Sequence, residues 1–159
     1  MPTPNSIEDH SHEPTQATAP GEWYERGIAL RKAGLFNKAI DQFEKAGEDT
    51  AYRLKSYAQI GLCYKSADRY EEAVAAFRQA LQSPAASPKE TVQILYLLGR
   101  TLESLNRSHE ALEAYRWLRR ENPHFRDVGE RIESISASRK SGKTSSEDTN
   151  RSWMNFQLW

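Results

Sequence analysis

A chain of 159 residues with 38% hydrophobic and 28% charged side chains has apolar matter for one core of modest size, and part of the chain is expected to stay outside it. Its 22 basic and 22 acidic residues balance, so no basic surplus speaks for nucleic acid, and none is expected as a partner. One cysteine, Cys63, excludes an internal disulfide framework, and no apolar run approaches the ~20 residues of a membrane span.

In chain order, residues 1–19 read as a disordered tail: Pro2, Pro4 and Pro14, three acids, and only Met1 and Ile7 as sizeable apolar side chains. Without Lys, Arg or an apolar stretch it is unlike a signal peptide, so a cytoplasmic protein is expected. From residue 20 to 138 apolar side chains recur at helical spacing, and no stretch alternates as a half-buried strand does. Breaks at Gly34, Gly47-Glu48-Asp49, Ser66-Ala67-Asp68, Ser83 to Pro88, Asn106-Arg107 and Asn122-Pro123 divide it into seven helices. Pro20 suits a first helical turn, Ser87-Pro88-Lys89-Glu90 forms a capping box, and Ser108 is the expected N-cap of the sixth helix.

The helices repeat. Gly27, Gly61 and Gly99 stand 34 and 38 residues apart. Ala39, Ala73 and Ala111 keep the same intervals, as do Phe43, Phe77 and Tyr115, and Leu30, Tyr64 and Leu102. The four extra residues fall in SPAASPKE, a loop, where insertion is cheap. Trp23, Gly27 and Leu30 share one helix face at i, i+4 and i+7. A mid-helix glycine costs ~1 kcal/mol against alanine, so its use in three registers implies close backbone approach. Each unit is then a helix hairpin that buries its apolar face only by stacking on the next.

These registers resemble the tetratricopeptide repeat (TPR) family, whose pattern is W-x2-L-G-x2-Y followed by A-x3-F-x2-A. The first repeat supplies Trp23, Gly27, Leu30, Gly34, Ala39, Phe43 and Ala46. The second supplies Tyr57, Ile60, Gly61, Tyr64, Tyr70, Ala73, Phe77 and Ala80, and the third Leu95, Leu98, Gly99, Leu102, Ala111, Tyr115 and Pro123. Leu118 replaces a small residue and Ser108 a turn aromatic, which implies looser packing in the third repeat. The resemblance implies an all-α solenoid of three hairpins, at about 20–53, 54–91 and 92–123. A capping helix at 124–138 follows, with Arg126, Glu130, Arg131 and Glu133 facing outward. Residues 139–151 then form a flexible linker and 152–159 an aromatic C-terminal motif.

Motifs for chemistry fail on their surroundings. Gly142-Lys143-Thr144 lacks the preceding glycine and strand of a phosphate loop. His10 and His12 lack the ligand complement of a zinc site, and His109-Glu110 lacks a second histidine. Cys63 lies between core positions, where an inert buried thiol is expected. The expected protein is therefore not an enzyme and holds no cofactor and no metal.

The free face of the first helices carries more information. In the TPR family it lines a concave groove for an extended or helical peptide. Here Tyr24, Ile28, Leu62 and Tyr96 make an apolar strip flanked by Arg31, Lys65 and Arg100, suited to a ligand with apolar side chains and a carboxylate. The positions of the family's chaperone-binding clamp hold Tyr24, Ile28, Gln93 and Leu97, which does not match the Lys/Asn set. The closing segment SWMNFQLW concentrates Trp153, Met154, Phe156, Leu158 and Trp159. Such residues suit extra core, a docking tail for a partner, or, with Lys140, Lys143 and Arg151, a membrane-interface contact. Residues 138–151 span roughly 20 Å r.m.s., enough to return the tail to its own groove. The expected function is a non-catalytic adaptor for protein–protein interaction that binds a peptide. The alternative is a self-assembling scaffold, a homo-oligomer in which one copy's tail fills another's groove.

Overall fold

The structure, a computed structural model, describes residues 18–141. Among the described residues every regular element is a helix: α1 Pro20–Lys32, α2 Phe36–Gly47, α3 Thr50–Ser66, α4 Tyr70–Leu81, α5 Pro88–Ser104, α6 Ser108–Glu121 and α7 Val128–Ser141. Each packs chiefly on its neighbours in sequence, and α1 also touches α3 directly, so the first helices of the first two hairpins lie side by side. This is an all-α solenoid.

The glycine register explains the hairpins. A Cβ built on Gly27 would lie 2.6 Å from Phe43, one on Gly61 2.5 Å from Phe77, and one on Gly99 2.4 Å from Tyr115. Each ring fills the notch its glycine leaves, and all three rings are fully buried. The alanine column Ala39, Ala46, Ala73, Ala80 and Ala111 is equally buried and lets the second helix approach.

The turns inside the hairpins repeat as well. Gly34, Asp68 and Asn106 adopt left-handed conformations at φ 77°, 58° and 57°. The following amides, of Leu35, Arg69 and Arg107, donate to Leu30, Tyr64 and Leu102 carbonyls at 2.9, 2.8 and 2.9 Å. This satisfies free carbonyls at each helix end. The capping box of α5 forms as the sequence implies: Glu90 N–H donates to Ser87 Oγ at 3.3 Å and Ser87 N–H to Glu90 Oε2 at 3.0 Å.

Three details differ from the sequence reading. Ser108 is the first residue of α6, whose N-cap is Arg107 without a side-chain cap; the turn ends in the backbone bond just described, which leaves no cap position for Ser108. Leu118 is fully buried in one core cluster with Val128 and Ile132, so the large residue fills space beside α7 and the third hairpin is not loose. The closing helix runs Val128–Ser141, beginning and ending later than 124–138, with Arg139 and Lys140 in its last turn.

Candidate functional site

The inner face combines α1, α3, α5 and the entry to α7. On it Tyr24, Leu62 and Tyr96 are buried, Ile28 and Arg31 partly so. Lys65 and Arg100 are each only 1% exposed. The structure thus gathers the aromatic and cationic residues of the three repeats on one surface, with more burial than a solvated helix face has.

The centre of its C-terminal half is Glu103. Its Oε2 accepts from the Tyr115 hydroxyl at 2.8 Å and from Arg131 Nη1 at 3.0 Å, and Arg100 Nε lies 3.5 Å away. Asp127 Oδ1 accepts from the Tyr96 hydroxyl at 2.9 Å, and its Oδ2 lies 3.0 Å from Arg131 Nε. The Tyr96 hydroxyl also accepts from Arg100 Nη1 at 3.4 Å. Arg100 and Arg131 therefore gather round the two carboxylates of Glu103 and Asp127, with Lys65 close enough to feel Arg100, Glu103 and Arg131.

The electrostatic strain falls on Lys65. Burial, then repulsion from Arg100 and Arg131, lowers its pKa to about 7 against a partial offset from Glu103. Burial and the neighbouring Glu103 carboxylate raise the Tyr115 phenol well above its ordinary value. Burial pushes the Asp127 carboxyl up, but the Tyr96 hydroxyl and Arg131 outweigh it and hold the group below its usual range.

Aromatic rings line both ends. At the α1 end Tyr24 meets Phe43 edge-on at 5.5 Å, Gln59 Nε2 donates to its hydroxyl at 3.4 Å, and Lys55 Nζ stands 4.9 Å over its ring. At the α7 end Tyr96 meets Phe125 at 5.7 Å, with the guanidinium of Arg126 5.3 Å from its ring. Cation–aromatic pairing is the recurrent chemistry of this face.

Asp127, Arg131 and Gln59 join the site without having been placed there by the sequence, whereas Lys55 and Glu103 stand on the free face of α3 and α5 where the repeat register puts them. Arg131 corrects an expectation: it does not face outward but turns onto Tyr96, Glu103 and Asp127. The i, i+4 pairing with Asp127 was the available signal, since both then share the inward edge of α7. Cys63 is buried, with desolvation raising its thiol to about 12, so it is a core residue. Among the described residues no cluster of His, Cys, Asp and Glu suited to a metal occurs, and no helix is long and apolar enough to cross a membrane. His10, His12, the Gly142-Lys143-Thr144 run and the docking residues Trp153, Met154, Phe156, Leu158 and Trp159 lie outside the described residues.

Residues 54–86 and 92–116 match the family model described as tetratricopeptide repeat. The fold is similar to the first TPR of Spaghetti (RPAP3) bound to the HSP90 peptide SRMEEVD, at 17% identity and a TM-score of 0.64, covering 76% of this chain and 93% of that one. It is similar to the C-terminal TPR-containing domain of an FK506-binding protein from Plasmodium falciparum, at 18% identity and 0.61, covering 80% and 92%. The second TPR domain of human RPAP3 in complex with the HSP70 peptide SGPTIEEVD is similar at 18% identity and 0.57, covering 74% and 98%. No curated protein matches the chain.

Proposed function

We propose that this chain, which matches the tetratricopeptide-repeat model over residues 54–86 and 92–116, is a non-catalytic, cytoplasmic adaptor that captures a peptide segment on the inner face of its hairpins. The observation that carries this reading is the alignment of Tyr24, Ile28, Leu62 and Tyr96 with Arg31, Lys65 and Arg100 across three repeats. An apolar strip edged by cations fits a ligand with apolar side chains and at least one carboxylate. The solved domains of RPAP3 similar in fold hold acidic peptides, which supports peptide capture by this architecture. Their chaperone peptides are not the expected ligand: the clamp positions include Leu97, which is fully buried in the core. The aromatic residues Trp153, Met154, Phe156, Leu158 and Trp159 supply a second docking element.

The experiment is selection from a random peptide library by the full chain and by the full chain carrying Trp153→Ala and Trp159→Ala. Selected peptides should pair an aromatic or aliphatic residue with a carboxylate, and Arg31→Glu should reduce their binding while Trp117→Ala, on exposed α6 surface, leaves it intact. Selection indifferent to Arg31→Glu would remove the proposed site.

A further inference from the structure

The first half of α6 and the last turns of α7 bound a cleft of about 490 Å³, lined by Leu112, Arg116, Ser136, Arg139 and Lys140. Leu112 and Arg116 stand at i and i+4 on one face of α6. Ser136 and Lys140 keep the same interval on α7, with Arg139 beside them. Leu112 is buried and forms the floor, Ser136 is partly buried, and the three cations are exposed at the rim. Lys140 follows Arg131 by two and a half helical turns and so stands half a turn round α7 from it. The cleft therefore opens away from the inner face.

The cations are not committed elsewhere. Arg69, Arg78, Arg107 and Arg131 each hold a carboxylate, whereas Arg116, Arg139 and Lys140 pair with no acid among the described residues, and no described acid lines the cleft. Arg139 and Lys140 suit the C-terminal end of a helix dipole. Arg116, in the middle of α6, has no such use, and the three meet only at the cleft.

We propose that the α6–α7 cleft is a further binding site, which takes a phosphoserine or phosphothreonine side chain of a partner polypeptide. A single carboxylate leaves two of the three cations facing each other. A phosphomonoester brings a charge of about −1.5 to −2 near neutral pH and three acceptor oxygens. The guanidinium forks of Arg116 and Arg139, the Lys140 ammonium and the Ser136 hydroxyl supply matching donors. The volume lies within the ~300–1,000 Å³ of small-ligand sites, but a free small ligand is held with most of its surface covered, and here the three cations stand in solvent. A phosphate on a polypeptide meets that limit, because its flanking residues add contact along the groove between the helices and one of them covers Leu112. A bilayer surface lacks that reach, since the only apolar side chain lining the cleft is buried beneath the rim.

The test uses the full chain and two peptide pools with random flanks, one with phosphoserine fixed at its centre and one with serine, captured and counted by mass spectrometry. The phosphoserine pool should be retained about tenfold over the serine pool, and Arg116→Gln or Arg139→Gln should each remove most of that excess, about tenfold for one charge-assisted contact. Both positions are exposed, so the fold is left intact. Arg119→Gln, an exposed α6 position outside the cleft, should change nothing, nor should Arg31→Glu on the inner face. Equal retention of the two pools would overturn the proposal. An equal loss in Arg119→Gln would overturn it too, because it reports a diffuse positive field, as would a loss in Arg31→Glu, which seats the phosphopeptide on the inner face. Binding of phosphatidylcholine vesicles carrying phosphatidylinositol phosphate in preference to the peptides would assign the cleft to a lipid headgroup and overturn it as well.

Discussion

Alanine at position 61 sets a single methyl group against the notch that joins α3 to α4. Its Cβ would lie 2.5 Å from Phe77 Cε1 and 2.7 Å from Cδ1, where carbon atoms rest at ~3.5–4.0 Å. The helices must part by about an ångström, or the ring must leave its rotamer within a fully buried setting. Overpacking of this kind costs ~1–3 kcal/mol, against a gain of ~1 kcal/mol from replacing a mid-helix glycine. With the ring enclosed on every side the upper part of that range applies, so the net loss is about 1–2 kcal/mol. For a chain of this size Tm falls by roughly 3–8 °C. Gly129 in α7 is the matched control: nothing lies within 4 Å of its Cβ position, so Gly129→Ala should raise Tm by a few degrees, with ~0.5–1 kcal/mol gained. Thermal and urea unfolding followed by circular dichroism measure both. Adding Phe77→Leu should cost less in the Gly61→Ala background than in the parent, because the clash leaves with the ring. A Tm for Gly61→Ala at or above the parent would show that the glycine column is not a helix contact.

Three further outcomes follow from the titrating groups. Lys65 binds its proton less tightly folded, at about 7, than unfolded, near 10.5, so the unfolded chain holds more protons between those values and stability rises with pH across them. Urea unfolding at pH 6.5 and 9 should show Lys65→Met gaining most over the parent at the lower pH; an equal gain at both would refute the lowered pKa. Glu110 is hydrogen-bonded by Arg107 and Arg78, which holds its carboxyl down at about 2. Its stabilising effect is complete above pH 4.5 and lost as pH falls toward 2, so Glu110→Gln should narrow the parent's acid sensitivity in that window. Cys63, with its thiol raised to about 12 by burial, should resist a thiol-specific reagent in the native chain and react at once in urea; rapid native reaction would contradict its place in the core.

The fold was legible because the repeat writes the same contacts three times. Gly27, Gly61 and Gly99 with Phe43, Phe77 and Tyr115 are spaced alike in sequence and touch alike in space. The turn column Gly34, Asp68 and Asn106 obeys the same 34 and 38 residue intervals, yet only the first is a glycine, so the shared left-handed backbone did not stand out by residue type. The inner face was legible on α1, α3 and α5, whose register the repeat fixes. Its α7 contribution was not, because one helix outside the repeat has no second copy to set its phase, and Arg131 reads as solvent-facing until Glu103 and Tyr96 are seen beside it. The burial of Lys65 and Arg100 was equally hidden, since charge in a sequence reports polarity and says nothing of what covers it.

The central claim is that the inner face of the hairpins is where this protein meets its ligand. It is tested most directly by methyl-resolved NMR of the full chain titrated with a library-selected peptide. Shifts are expected at Ile28 and Leu62 on α1 and α3, with Leu35, exposed in the first turn, unmoved. Shifts confined to Leu35 or to methyls beside Trp117, with Ile28 and Leu62 silent, would place recognition elsewhere and contradict it.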